Sequence, residues 1–269
     1  SPFLREQYGI DDWYTLAADR STLNAVFTSG RSQGIEVGYA QETFRVAAMW
    51  SDGFAVPGAG LNFANSPATG FETEYAIDVR GEFLFAGNWE QFNDFTSMSD
   101  DEFGVLVGAA IGMQKIEAGG GGARPEYLHW TVDAQIECGT GNFYAAVIGN
   151  NVDIDVAGAR DLDQLGVLIQ GGWMFVPDEW ELFARYEWGD SDNARGLAGG
   201  PNDEDLSVLT LGVNKYFNGH GVKWTSDVGI ALDEVTATWA GGAATNNFRQ
   251  DDVGQDGQLV LRTQLQLLF

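Results

Sequence analysis

Apolar and polar side chains alternate at every second position over most of the chain, and this alternation limits the possible folds more than any other feature. Between Trp180 and Trp188, the even positions are apolar or aromatic, whereas the odd positions include Glu181, Arg185 and Glu187. Successive side chains of a β-strand point to opposite faces, so a period of two separates the two sets across a strand. The pattern therefore predicts strands with one apolar and one charged face.

Eleven segments show this alternation, and a helical period is weak throughout the chain. Only 88–102 is suited to one short helix. The sequence thus predicts an all-β fold with strands at 34–40, 43–51, 73–87, 103–115, 127–138, 142–150, 164–176, 179–189, 205–217, 221–232 and 257–269.

The connections between these segments alternate in length. Short connections lie at 40–42, 138–142, 176–179 and 218–221, and long ones at 52–72, 116–126, 151–163, 190–204 and 233–256. Segment 88–102 is the exception, because it is long where a short turn is due. Short turns at one rim and long loops at the other are typical of up-and-down β-barrels of the bacterial outer membrane.

The last segment carries the clearest membrane signal. One face of it presents Leu259, Leu261, Thr263, Leu265, Leu267 and Phe269, and the other presents Gln258, Arg262, Gln264 and Gln266. This pattern ending in Phe269 resembles the C-terminal assembly signal of outer-membrane proteins. In that class the C-terminus and the short turns are periplasmic. A buried last strand of a soluble barrel is the alternative.

Composition argues against several other functions. A net charge of −25 leaves no basic surface for nucleic acid. One cysteine excludes a disulfide within the chain and a cysteine-based zinc cluster, and two histidines offer little for a metal site. A barrel hydrolase would need a nucleophile beside His129, and none is evident. We expect no catalytic residue, no resident cofactor and no metal. Calcium in the acidic loops 190–205 and 233–256 stays an alternative, although neither loop has EF-hand spacing.

Four segments together resemble one family, the phosphate-selective porin O and P family of Gram-negative outer membranes. They are RSTLNAVFTSGRSQGIEVGYA (20–40), LIQGGWMFVPDEWELFARYEWGDSD (168–192), LTLGVNKYFNGHGVKW (209–224) and the terminal QLVLRTQLQLLF. The resemblance extends in order over nearly the whole chain.

The resemblance implies a homotrimer of transmembrane barrels, each of about 16 strands, in contact with outer-membrane lipid and lipopolysaccharide. Its first match lies well inside such a chain, which implies that strands precede residue 1. Eleven strands cannot close an even-stranded barrel, so either 12–18 adds a twelfth strand or strands are absent upstream. We expect one barrel domain over 1–269, with 1–33 as a loop or constriction segment and strands in 34–269.

The polar face of the strands supplies candidates for the pore wall. The bases are Arg45, Arg80, Arg185, Lys223 and Arg262, and the acids are Glu36, Asp78, Glu82, Asp133, Glu137, Glu181, Glu187 and Asp227. Five bases against eight acids predict a weakly cation-preferring or unselective lumen. The phosphate specificity of the family is therefore not carried over. Arg20 and Arg31 are candidates for a constriction formed by 20–33.

The expected function is that of an outer-membrane porin that passes small hydrophilic solutes and ions. The alternative is a structural or surface-interaction barrel whose acidic loops bind cations, lipopolysaccharide or envelope partners.

Overall fold

A computed structural model describes residues 1–29, 32–53, 72–118, 125–154, 161–192, 205–236, 239, 248–249 and 257–268. Two short α-helices, α1 (Arg5–Tyr8) and α2 (Thr22–Phe27), lie near the start of the chain. Single 3₁₀ turns occur at Asp12–Tyr14 and Gln91–Asn93. None of the helices in these ranges has the length and apolar character to cross a membrane.

Eleven strands follow, and each overlaps one predicted segment. They are β1 Gly34–Ala40, β2 Phe44–Ser51, β3 Glu72–Ala86, β4 Gly104–Ala118, β5 Pro125–Cys138, β6 Gly141–Ile154, β7 Leu162–Val176, β8 Trp180–Asp190, β9 Leu206–Asn218, β10 Val222–Ala231 and β11 Leu259–Leu267.

The strands form one antiparallel sheet in sequence order, from β1 to β11. The all-β, up-and-down prediction is confirmed. Within the described residues β1 pairs only with β2 and β11 only with β10, so the sheet is not closed. Segment 12–18 adds no twelfth strand: it begins with a 3₁₀ turn, and Thr15, Leu16 and Ala17 are buried. That alternative was wrong because the segment packs onto a face of the sheet instead of joining its edge.

The polarity of the two faces of the sheet is the reverse of that in a soluble protein: the charged face is buried and the apolar face is exposed. On β8, Glu181, Arg185 and Glu187 are almost fully buried, whereas Leu182 is 50% exposed. We call the face that buries these charges the inner face and the opposite one the outer face. Large exposed apolar residues recur on the outer face of other strands, including Val37, Trp50, Phe85, Ile111, Val132, Trp173, Leu211, Leu261 and Leu265.

Two continuous segments and two aromatic residues of the β10–β11 connection cover the inner face. Trp239 and Phe248 are buried in the same core, beside Gly189 of β8 and Gly229 of β10. Residues 1–29, here called the N-terminal segment, pack against it through Phe3, Leu16, Leu23 and Phe27. Residues 88–102, the β3–β4 connection, place Phe92 and Phe95 against it at the end of the sheet that carries the short turns. The only extensive apolar core of the described residues thus lies between the inner face and these segments.

Candidate functional site

Glycines on the inner face of β4 make room for charged side chains from the neighbouring strands. Gly112 stands between Asp78 of β3 and His129 of β5 in the pairing register. Asp78 and His129 meet across it, with 2.7 Å between Oδ1 and Nε2. A Cβ atom at Gly112 would lie 1.8 Å from Nε2 of His129. Only glycine leaves space for this contact.

Gly108, four residues earlier on β4, accommodates a second bridge. Arg80 of β3 donates from Nη1 and Nη2 to the two carboxylate oxygens of Asp133 on β5, at 2.8 and 2.9 Å. Paired hydrogen bonds of this kind between ionised groups are among the stronger polar contacts in proteins. Arg80 also donates to Glu82 and to the carbonyl oxygen of Phe3, and the second bond connects the N-terminal segment to the inner face of the sheet.

Arg5 is the residue that joins both covering segments to the sheet. Its Nε donates to Oε1 of Gln135 at 2.9 Å, and its Nη1 donates to Glu82 at 3.2 Å. Its Nη2 donates to the carbonyl oxygen of Phe92, in the β3–β4 connection. Glu82 therefore meets three guanidinium groups, since Arg45 also pairs with it. Arg5 is fully buried, and the sequence did not single it out.

The N-terminal segment also forms hydrogen bonds with charged inner-face residues of β8 and β10. Its backbone accepts from Arg185 at Asp19 and from Lys223 at Thr15. Backbone N–H groups of the segment donate to two carboxylates of the inner face, at 3.1 Å for Glu187 and 2.9 Å for Asp227.

Helix α2 is positioned by a cap that includes a buried acid. The Ser21 hydroxyl accepts from the Asn24 N–H at 2.9 Å, as an N-cap residue does. Glu6 in turn accepts from the Ser21 N–H at 2.6 Å. The cap holds Leu23 and Phe27 against the sheet.

The β3–β4 connection covers the inner face at the short-turn end. Gln91 donates to Glu137 at 3.0 Å, and Thr96 and Tyr216 share a hydrogen bond of 3.0 Å. Tyr216 also donates to Glu181 at 2.6 Å. The β3–β4 connection, whose length interrupts the alternation of short and long connections, therefore folds over the inner face.

A patch of apolar side chains on the inner face was missed by the sequence reasoning. Ile148, Leu168, Phe183 and Val208 point to the side that was predicted to line water, and they are buried under the N-terminal segment. Their inward parity was visible in the sequence. Apolar residues at polar-face positions on four consecutive strands indicate a packed partner on that face.

The inner-face placement predicted for the thirteen charged candidates agrees with the observed strand register. Eleven are buried by the covering segments: Arg80, Arg185, Lys223, Arg262, Asp78, Glu82, Asp133, Glu137, Glu181, Glu187 and Asp227. Arg45 is half-buried and Glu36 is exposed. Of the buried candidates, Arg80 and Glu82 still border a cavity, together with Arg45. Lining of a pore by any of the candidates stays a prediction.

The open space lies beside β1 and β2. A cavity of about 470 Å³ there is bordered by Tyr8, Gly38, Arg45, Ala47 and Asn93. Tyr8 donates to Glu36 at 2.7 Å across its margin. The inner face of the sheet is thus filled from β3 to β10 and accessible at β1 and β2.

Arg20 lies on the N-terminal segment and pairs with Asp12 at 2.6 Å. Arg31, Phe269 and most of the acidic loops 190–205 and 233–256 lie outside the described residues. Among the described residues, no group of three or more His, Cys, Asp or Glu side chains is placed to hold a metal.

Comparison with models of known protein families gives no match to this chain, and no curated protein matches it significantly. The porin interpretation therefore depends on the residues themselves.

Proposed function

We propose that the chain forms the wall of a porin-type channel in the bacterial outer membrane, which passes small hydrophilic solutes and ions. The observation that carries this proposal is the reversed polarity of the sheet. Charged side chains are buried on the inner face, while large apolar side chains are exposed on the outer face. Membrane barrels alternate in this sense, because their outer face contacts hydrocarbon.

A cluster of aromatic side chains at the short-turn end supports the same orientation. Trp180 and Trp224 contact edge to face, with 6.3 Å between their ring centroids. Lys215 lies 5.1 Å from the Trp180 ring centroid. Aromatic girdles with nearby basic groups occur where barrels meet lipid headgroups. The short turns would then face the periplasm, and the protein would assemble as the trimer that the resemblance implies.

In this proposal the N-terminal segment and the β3–β4 connection narrow the lumen. Solutes pass beside β1 and β2, where Arg45 borders the cavity and Glu36 is exposed. These two residues, rather than the eleven buried ones, would set the ion preference.

The dense packing of the inner face favours a second candidate, a plugged barrel with a structural role. Planar-bilayer recordings of the full chain separate the two. A channel gives discrete current steps, and Glu36→Gln shifts its reversal potential in a salt gradient toward lower cation preference. A folded protein that inserts into lipid and gives no steps supports the plugged barrel and refutes the channel.

A further inference from the structure

The side of the N-terminal segment that faces away from the sheet carries two accessible aromatic rings. Trp13 is 49% exposed and Tyr8 is 38% exposed. Both border a second cavity, of about 300 Å³, together with Gln7, Asp11, Asp12 and Arg20. Small-molecule sites in proteins begin at about this size and combine aromatic walls with a few polar groups.

The charges around this cavity are unequal. Arg20 is neutralised by Asp12, and its Nη2 donates to the carbonyl oxygen of Ile10 at 2.8 Å. Arg45, which borders the first cavity, pairs with Glu82, and its Cζ atom lies 4.5 Å from the centroid of the Trp89 ring. Both guanidinium groups are therefore already matched by a carboxylate.

The acids are not matched in the same way. Within the described ranges, no Lys, Arg or His forms an ion pair with Asp11, which is exposed. The same holds for Glu36, which accepts only the Tyr8 hydroxyl among the contacts of its side chain in those ranges. The second cavity thus has one carboxylate without a basic partner in those ranges, Asp11, beside the rings of Tyr8 and Trp13. Glu36 adds a negative charge next to it, at the Tyr8 hydroxyl.

We propose that this second cavity, here called the groove and lined by Tyr8, Asp11 and Trp13, binds an organic cation with an ammonium group. An aromatic face attracts a cation through its quadrupole, and quaternary ammonium groups are recognised in this way. A carboxylate beside the ring adds attraction for the same charge. An inorganic anion finds no unpaired base in the described part of the groove. The inference goes beyond the proposed channel by naming its solute class, and it depends on that channel only for transport.

The test is calorimetric titration of the purified full chain in detergent with choline, with glucose and inorganic phosphate as comparison solutes. Choline binds, and Trp13→Ala weakens its affinity about tenfold, whereas Trp13→Phe keeps most of the affinity because a ring remains. Asp11→Asn weakens it several-fold at low salt, and the loss shrinks as salt screens the charge.

Matched controls are Trp173→Ala, on the outer face, and Asp100→Asn, at the short-turn end; neither changes choline binding. The proposal is overturned if choline fails to bind, or if Trp13→Ala and Asp11→Asn bind it as well as the unmodified chain. Bilayer recordings keep the two proposals distinct. Choline binding without any current steps supports the groove and refutes the channel, whereas current steps without choline binding do the reverse.

Discussion

Arg80 and Asp133 lie on β3 and β5, two strands that are not neighbours, and they form a two-pronged ion pair directly above Gly108 of β4. The same arrangement recurs at Gly112, where Asp78 meets His129. Polar contacts on the inner face thus span three strands and require a residue without a side chain on the middle one.

We expect Gly112→Ala to destabilise the protein. Its new Cβ would overlap the His129 ring and the Asp78 carboxylate, both of which are buried. Overpacking of this kind costs about 1–3 kcal/mol. The free energy of unfolding in urea, measured in detergent micelles, gives the value. Gly81→Ala is the control, because a Cβ there has no heavy atom within 4 Å; an equal loss in both variants would contradict the role of Gly112.

Arg5→Ala should release the N-terminal segment from the wall. The substitution removes donors to Gln135, Glu82 and the Phe92 carbonyl, each a hydrogen bond from a charged group that contributes about 1.5–3 kcal/mol. Glu82 keeps its pairs with Arg45 and Arg80. Hydrogen exchange of amides in residues 1–29 should become markedly faster. Lys115→Ala, which breaks exposed pairs with Glu74 and Glu126, should leave the free energy of unfolding nearly unchanged, because solvent screens exposed ion pairs. Unchanged exchange in Arg5→Ala would show that the apolar contacts alone hold the segment.

An arginine on the outer face should cost more than one on the inner face. Leu261, near the middle of β11, is 79% exposed, and Leu261→Arg would place a charge in hydrocarbon at a cost of about 2–4 kcal/mol. Gln264→Arg, on the inner parity of the same strand, should cost little. Unfolding of both variants in lipid vesicles measures the difference. If the two costs were equal, the lipid-facing assignment of the outer face would fail.

Docking of the β3–β4 connection should weaken in acid. The Ser99 hydroxyl and N–H donate to Asp178 at 2.5 and 2.8 Å, and these bonds lower the pKa of that carboxyl. A lowered pKa in the folded state stabilises docking above the unfolded value of about 3.9. The stabilisation is lost as pH falls below that value through the folded pKa.

Protection of the Ser99 amide, corrected for intrinsic exchange, should therefore decline from pH 5 to about pH 3. Asp178→Asn should show a flat profile over the same range, because the amide does not titrate there. A decline of equal size in Asp178→Asn would mean that another group controls docking.

The strands and their facing were predictable because both follow from a period of two, which depends only on local sequence. On β8 the alternation identified the buried charged residues Glu181 and Glu187 without knowledge of any partner. The up-and-down order was also accessible, since short turns force consecutive strands to pair.

The partners of the inner-face charges were not predictable, because they depend on register across three strands and on segments far away in the chain. The contact between Asp78 and His129 needs the alignment of Gly112 with both residues. Arg5 lies 130 residues from Gln135 along the chain. The alternative that 12–18 adds a twelfth strand was wrong because the composition of this segment suits a strand, whereas its apolar residues pack against the inner face.

The most direct test of the membrane account is a nitroxide scan of β8 from Glu181 to Glu187 in lipid vesicles. At each position the spin label's exposure to oxygen, which concentrates in hydrocarbon, is compared with its exposure to a water-soluble nickel complex. The account predicts oxygen maxima at Leu182, Ala184 and Tyr186, with low exposure to both reagents at the odd positions between them. High exposure to the nickel complex at Leu182 and Ala184, with no preference for oxygen, would place the outer face in water and contradict the account.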